Sequence, residues 1–156
     1  SINAPAPQTL QQLYDRASAD IIGKKAGRII VGLGLKELKR GGKDYMGVFT
    51  AYETLANEIL SKTLVPIHFL TIPEDMFPAA PSQLTALNDC IRGLQQKDEK
   101  RVKILDFAAY VADFKEKQLE RGKFGRSLYT EEGNPTSICN TFMALFLYDF
   151  IKRELK

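Results

Sequence analysis

The chain has 156 residues, 44% hydrophobic and 26% charged, with a formal net charge of +3 at pH 7. That length suits one domain with a continuous core and requires no disulfide or metal staple. The composition excludes a disordered or fibrous chain, and the small net charge means that any nucleic-acid surface must arise from local clustering of cations.

Residues 1–8, rich in Ala and Pro, read as a flexible lead-in to a single α/β domain over 9–156. Leu10, Leu13, Tyr14, Ala17 and Ile21 recur with the spacing of one helix face, and Thr9 with Gln12 forms a capping box at its start. Gly27 ends that pattern. The run from Arg28 to Leu33 is short, β-branched and without polar alternation, as in a parallel strand buried on both faces.

The same unit then repeats twice. Phe49, Tyr52, Ala56, Ile59 and Leu60 mark a helix before the apolar run from Leu64 to Ile72. Leu84, Leu87, Ile91 and Leu94 mark another, followed by a charged turn from Lys97 to Arg101 and a strand-like run from Val102 to Phe107. A shorter helix is expected over Ala108 to Leu119, then a basic, Gly-punctuated loop to Arg126. The last helix, from Ser137 to Glu154, is apolar nearly all round. This alternation predicts a three-layer α/β domain, a parallel sheet of three recognisable strands flanked by helices, with right-handed crossovers. Three strands leave an edge to cover. The expectation is that a partner chain pairs with it or that opening strands lie upstream of Ser1.

Ligands of open α/β sheets sit at the carboxyl ends of the strands, so the loops there carry the chemical interest. The first loop holds Lys36, Lys39, Arg40 and Lys43 around Gly41-Gly42, which suits an anion or nucleic-acid phosphate, or else a solvated turn; it lacks P-loop spacing. Gly32-x-Gly34 is too short for a dinucleotide fingerprint. A second basic cluster, Lys115, Lys117, Arg121, Lys123 and Arg126, neighbours Phe124 and Tyr129, which either stack on bases or anchor the loop to the core.

His68 is the single histidine and lies mid-strand, the place of a core or interface imidazole. Cys90 and Cys139 sit in apolar helical patterns and read as buried free thiols. With one His and two separated Cys, neither a zinc site nor a Ser-His-Asp or Cys-His arrangement can be assembled, and no metal or cofactor is expected. Glu74-Asp75 and Glu131-Glu132 are adjacent acids in loops, which are ordinarily solvated rather than paired for acid/base work. No run approaches the roughly 18 apolar residues of a membrane span. No membrane partner is therefore expected, and free thiols point to an intracellular, cytoplasmic setting.

In order, these elements resemble the later two-thirds of the SGNH (GDSL-like) hydrolase superfamily. Gly34-Leu35-Lys36-Glu37-Leu38 falls where the family has Gly-x-Asn-Asp. Leu70-Thr71-Ile72-Pro73 and Leu84-Thr85-Ala86-Leu87-Asn88 fall at its next strand and helix, and Ile104-Leu105-Asp106-Phe107 at its Val-Asp-hydrophobic strand end. Glu131-Glu132-Gly133-Asn134-Pro135-Thr136 falls at its closing Asp-x-x-His-Pro-Thr block, before a last helix capped by Thr136 or Ser137.

The resemblance implies a flavodoxin-like SGNH fold with degenerate catalytic seats: Lys36 (or, in another alignment, Gly34) for the oxyanion-hole Asn, Glu131 for the Asp and Asn134 for the base His. The nucleophile block Gly-Asp-Ser-Leu has no counterpart in these residues. An amide cannot take a proton from a serine near neutral pH. The expected function is a non-catalytic domain for protein interaction or homo-oligomerisation, with RNA a candidate ligand of the basic loops. The alternatives are an RNA-binding domain proper, or part of an active SGNH esterase whose nucleophile strand lies outside this segment.

Overall fold

The computed structural model describes residues 27–32, 45–76, 81–120, 128–129 and 136–154. Its three apolar runs become short strands, β1 (Ile29–Val31), β2 (Ile67–Leu70) and β3 (Val102–Leu105). Both pairings are parallel, in the order β1-β2-β3. The register sets Ile29, Ile67 and Val102 in one row and Ile30, His68 and Lys103 in the next, which faces the other way. The helix expected over Thr9 to Ile21 and the loop from Gly34 to Asp44 lie outside the described residues.

Burial departs from the expectation for the first run. β2 is buried at every position, but Ile30 in β1 is 38% exposed, and Lys103 in β3 is exposed as well. Among the described residues β1 and β3 are the sheet edges, each with a neighbour on one side only. The central strand alone collects cover from both sides. His68 sits there, 2% exposed, as its place in mid-strand implied.

The chain gathers into two compact units, Ser1–Thr71 with Ser82–Leu105, and Ile72–Pro81 with Asp106–Lys156. In the first, α1 (Tyr45–Lys62) buries Tyr45, Val48, Tyr52, Leu55, Ala56 and Ile59, one helical face. Tyr52 is fully buried and tilts against Phe69 of β2, with ring centroids 5.7 Å apart. α2 (Pro81–Gly93) buries Leu84, Leu87, Asn88 and Ile91 and tightens into a 3₁₀ turn over Leu94–Lys97. The charged turn that follows is built by Asp98, whose carboxylate accepts from the backbone N–H groups of Lys100 and Arg101. Arg101 then reaches back to the end of α1 and donates to the carbonyls of Leu60 (3.0 Å) and Thr63 (2.5 Å). Those carbonyls have no partner within the helix, so this cation satisfies the orphan acceptors of the helix end.

The second unit holds α3 (Phe107–Glu120) and α4 (Ser137–Glu154). Each helix starts on a side-chain cap. The Asp106 carboxylate accepts from the N–H of Ala109 at 3.2 Å, and the Thr136 hydroxyl from the N–H of Cys139 at 3.4 Å. An aromatic cluster joins the two helices: Phe142 lies 4.4 Å from Phe114 and 4.8 Å from Tyr110, and Phe146 lies 5.4 Å from Phe107. Such ring pairs contribute about 0.5–1.5 kcal/mol each beyond the area they bury.

Candidate functional site

Where β1 ends, Gly32 is an obligate small residue, because a Cβ there would lie 2.6 Å from Cδ1 of Leu70. Past the end of β2, the N–H of Thr71 donates to the Leu105 carbonyl at 3.2 Å and carries the ladder one residue further. Thr71 is 3% exposed, and Ile72 and Pro73 are buried. Asp106, the acid at the end of β3, is committed to capping α3. The described residues at these strand ends are engaged in packing and capping.

A denser polar constellation lies within the second unit. The Lys115 ammonium contacts the Asp75 carboxylate and also sits 5.2 Å from the centre of the Tyr129 ring. Cys139 is buried one turn into α4 and close enough to Lys115 and Tyr129 for their charges to interact. Burial lowers the Lys115 pKa, with a smaller opposing pull from Cys139. Burial likewise pushes the Tyr129 phenol well up, and Cys139 adds to it. The Cys139 thiol is raised by burial against a smaller lowering by Lys115. A thiol acts as a nucleophile or metal ligand only as thiolate, and these shifts disfavour the thiolate of Cys139.

Of the nine cations expected to form an anion or nucleic-acid surface, the described residues include Lys115 and Lys117. Each has a carboxylate partner, Lys115 through Asp75 and Lys117 through Asp113 at 2.8 Å, one turn earlier on α3. Lys36, Lys39, Arg40, Lys43, Arg121, Lys123 and Arg126 lie outside the described residues, as do Phe124 and the degenerate seats Lys36, Glu131 and Asn134. Tyr129 is half-buried beneath Lys115, the arrangement of an anchor rather than a free stacking platform. The adjacent acids Glu74-Asp75 fall in a 3₁₀ turn, where Asp75 serves as an ion-pair partner. Among the described residues no three of His, Cys, Asp and Glu gather to hold a metal ion. Nor is any described helix long and apolar enough to cross a membrane.

α4 carries the most unusual described surface. Its inner positions, including Cys139, Phe142 and Phe146, are buried or half-buried. Ile138, Leu145, Tyr148 and Ile151 are 37%, 53%, 60% and 41% exposed. Ile138, Leu145 and Tyr148 follow one another at i, i+7 and i+10 and so share one stripe.

Comparison with known proteins places the fold. The chain is similar to the crystal structure of an acetyl xylan esterase, with a TM-score of 0.71 over 92% of this chain and 76% of that one, at 16% sequence identity. The chain therefore has the α/β fold of that structure, a parallel sheet flanked by helices. No protein-family model matches the sequence, and no curated protein does either.

Sequence reasoning located Lys115, Asp75, Tyr129 and Cys139 separately but did not join them. Asp75 and Lys115 lie on different elements, and no spacing rule links a 3₁₀ turn to the middle of a later helix. The apolar excess of α4 was visible in sequence; the division of its residues between covered and uncovered faces was not.

Proposed function

We propose that this chain is a non-catalytic domain of SGNH fold that serves protein interaction or oligomerisation. The observation that carries the proposal is the outer face of α4, where large apolar side chains are presented to solvent along one stripe. A helix that already buries its opposite face in an aromatic cluster has no need of that stripe for its own folding. Against hydrolysis stands Asn134, an amide in the seat that the SGNH resemblance gives to the base histidine. The likeness to an acetyl xylan esterase concerns the fold, and fold does not carry chemistry without its site residues.

RNA binding is the less supported reading, because both described cations of the basic clusters already have carboxylate partners. Single-stranded RNA is expected to bind weakly and only at low salt, with the remaining affinity lost in Lys39→Glu/Arg40→Glu. The test of the main reading is hydrolysis of p-nitrophenyl acetate by the purified chain. Turnover at the uncatalysed rate is expected. A rate well above it that disappears on changing one serine to alanine would end the non-catalytic reading.

A further inference from the structure

Lys115 of α3 reaches two turns that are far apart in the chain. Towards the turn Glu74–Met76, which follows β2, its ammonium meets the Asp75 carboxylate. Towards the entry of α4 it lies 5.2 Å from the centre of the Tyr129 ring. Each turn is closed by a backbone bond of its own. The N–H of Met76 donates to the Pro73 carbonyl at 3.1 Å. The N–H of Thr136 donates to the Leu128 carbonyl at 3.0 Å, and the Thr136 hydroxyl donates to the same oxygen at 3.1 Å.

Both contacts of Lys115 depend on charge rather than shape. The carboxylate attracts the ammonium by Coulomb's law, and the ring face attracts it through the π quadrupole. A neutral nitrogen on the same methylene stem keeps the packing of the stem and loses both attractions together. Lys117, by contrast, pairs with Asp113 one turn back on its own helix.

Acylation is a reaction that removes a lysine charge. The Lys115 side chain is 40% exposed, open enough to meet a small acyl donor. Burial of the rest lowers its pKa, against a smaller opposing pull from Cys139, and so enlarges the share of free amine. That amine attacks the carbonyl carbon of an acyl phosphate. The N–C bond forms, the C–O bond to phosphate breaks, phosphate leaves with the electron pair, and the proton of the amine passes to water.

We propose that Lys115 is an acylation site and a charge latch: its ammonium couples the Glu74–Met76 turn to the entry of α4, and acylation by an acyl phosphate frees the two together. The latch is independent of the interaction reading above.

Hydrogen exchange on the whole chain tests the coupling. The amides of Met76 and Thr136 are the reporters, and that of Thr63, bonded to the Ile59 carbonyl at the end of α1, is the control. Lys115→Gln copies the neutral amide. It is expected to speed exchange at both reporters by about tenfold, the combined effect of a partly exposed ion pair and one cation–π contact, and to leave the control unchanged. Lys115→Arg keeps the charge and is expected to hold both reporters near wild-type rates. Acetyl phosphate is expected to acetylate Lys115 of the wild-type chain, as read by peptide mass spectrometry, and to speed the same two amides in proportion to the acetylated share. Four results overturn the latch: wild-type exchange at either reporter in Lys115→Gln, equally faster exchange at the control, a Lys115→Arg chain that behaves as Lys115→Gln, or acetylation that reaches Lys117 but not Lys115.

Discussion

α1 and α4 are both eighteen residues long, yet they treat water in opposite ways. α1 buries one face against the sheet and turns Thr50, Thr54, Asn57 and Ser61 outward, with Met46 at its start, 60% exposed, as its one large exposed apolar side chain. α4 packs one face against α3 through aromatic rings and leaves Leu145 and Tyr148 more than half exposed on the other. An amphipathic helix is explained by a single core. A helix apolar on both faces has a second surface to account for, and that surface is where function is to be sought.

The contrast is sharpest in substitutions. Tyr52→Ala removes a fully buried ring from α1 and is expected to cost about 3–5 kcal/mol in denaturant titration, enough to unfold much of the population. Phe142→Ala on the inner face of α4 should cost about 2–3 kcal/mol, because its ring is only half-buried but touches several others. Leu145→Glu on the outer face should leave monomer stability within about 0.5 kcal/mol, as for an ordinary surface position. A loss near that of Phe142→Ala would show that the stripe belongs to the protein's own core.

Smaller effects probe how the second unit is assembled. Thr136→Ala removes the cap of α4 and should cost about 1 kcal/mol. The raised Cys139 and Tyr129 pKa values give the unit an alkaline weakness. Above about pH 9 the unfolded thiol ionises while the folded one keeps its proton, so the folded state binds more protons and stability falls as pH rises; the phenol adds the same sign above about pH 10. The lowered Lys115 pKa acts in the opposite sense, since the unfolded amine holds its proton longer. Tyr129→Phe should therefore flatten the alkaline decline of the unfolding midpoint while leaving its neutral value nearly unchanged. Smallest of all, Lys117→Ala breaks an exposed i, i+4 pair and should shift stability by under about 0.5 kcal/mol.

Much of the fold was legible in the sequence because it is written in local patterns. Three short, largely apolar runs gave the three parallel strands, and apolar spacing gave α1 and α2. The Thr136-Ser137 junction gave the start of α4, with Thr136 as the cap. What sequence could not supply was long-range. Arg101 closing the end of α1 and Lys115 bridging Asp75 and Tyr129 depend on which turns meet in space. The exposure of Ile30 depends on β1 having a neighbour on only one side among the described residues. The candidate site was legible as residue types and not as an arrangement. The basic residues of α3 were found as a cluster, but the carboxylates that pair with them were not.

The account rests most heavily on the outer face of α4, and sedimentation velocity over a wide concentration range tests it directly. The wild-type chain is expected to move reversibly from monomer towards dimer as concentration rises, and Leu145→Glu to remain monomeric throughout while unfolding at the same denaturant midpoint. A wild-type chain that is monomeric at every concentration, or a Leu145→Glu chain that dimerises as readily as wild type, would contradict it.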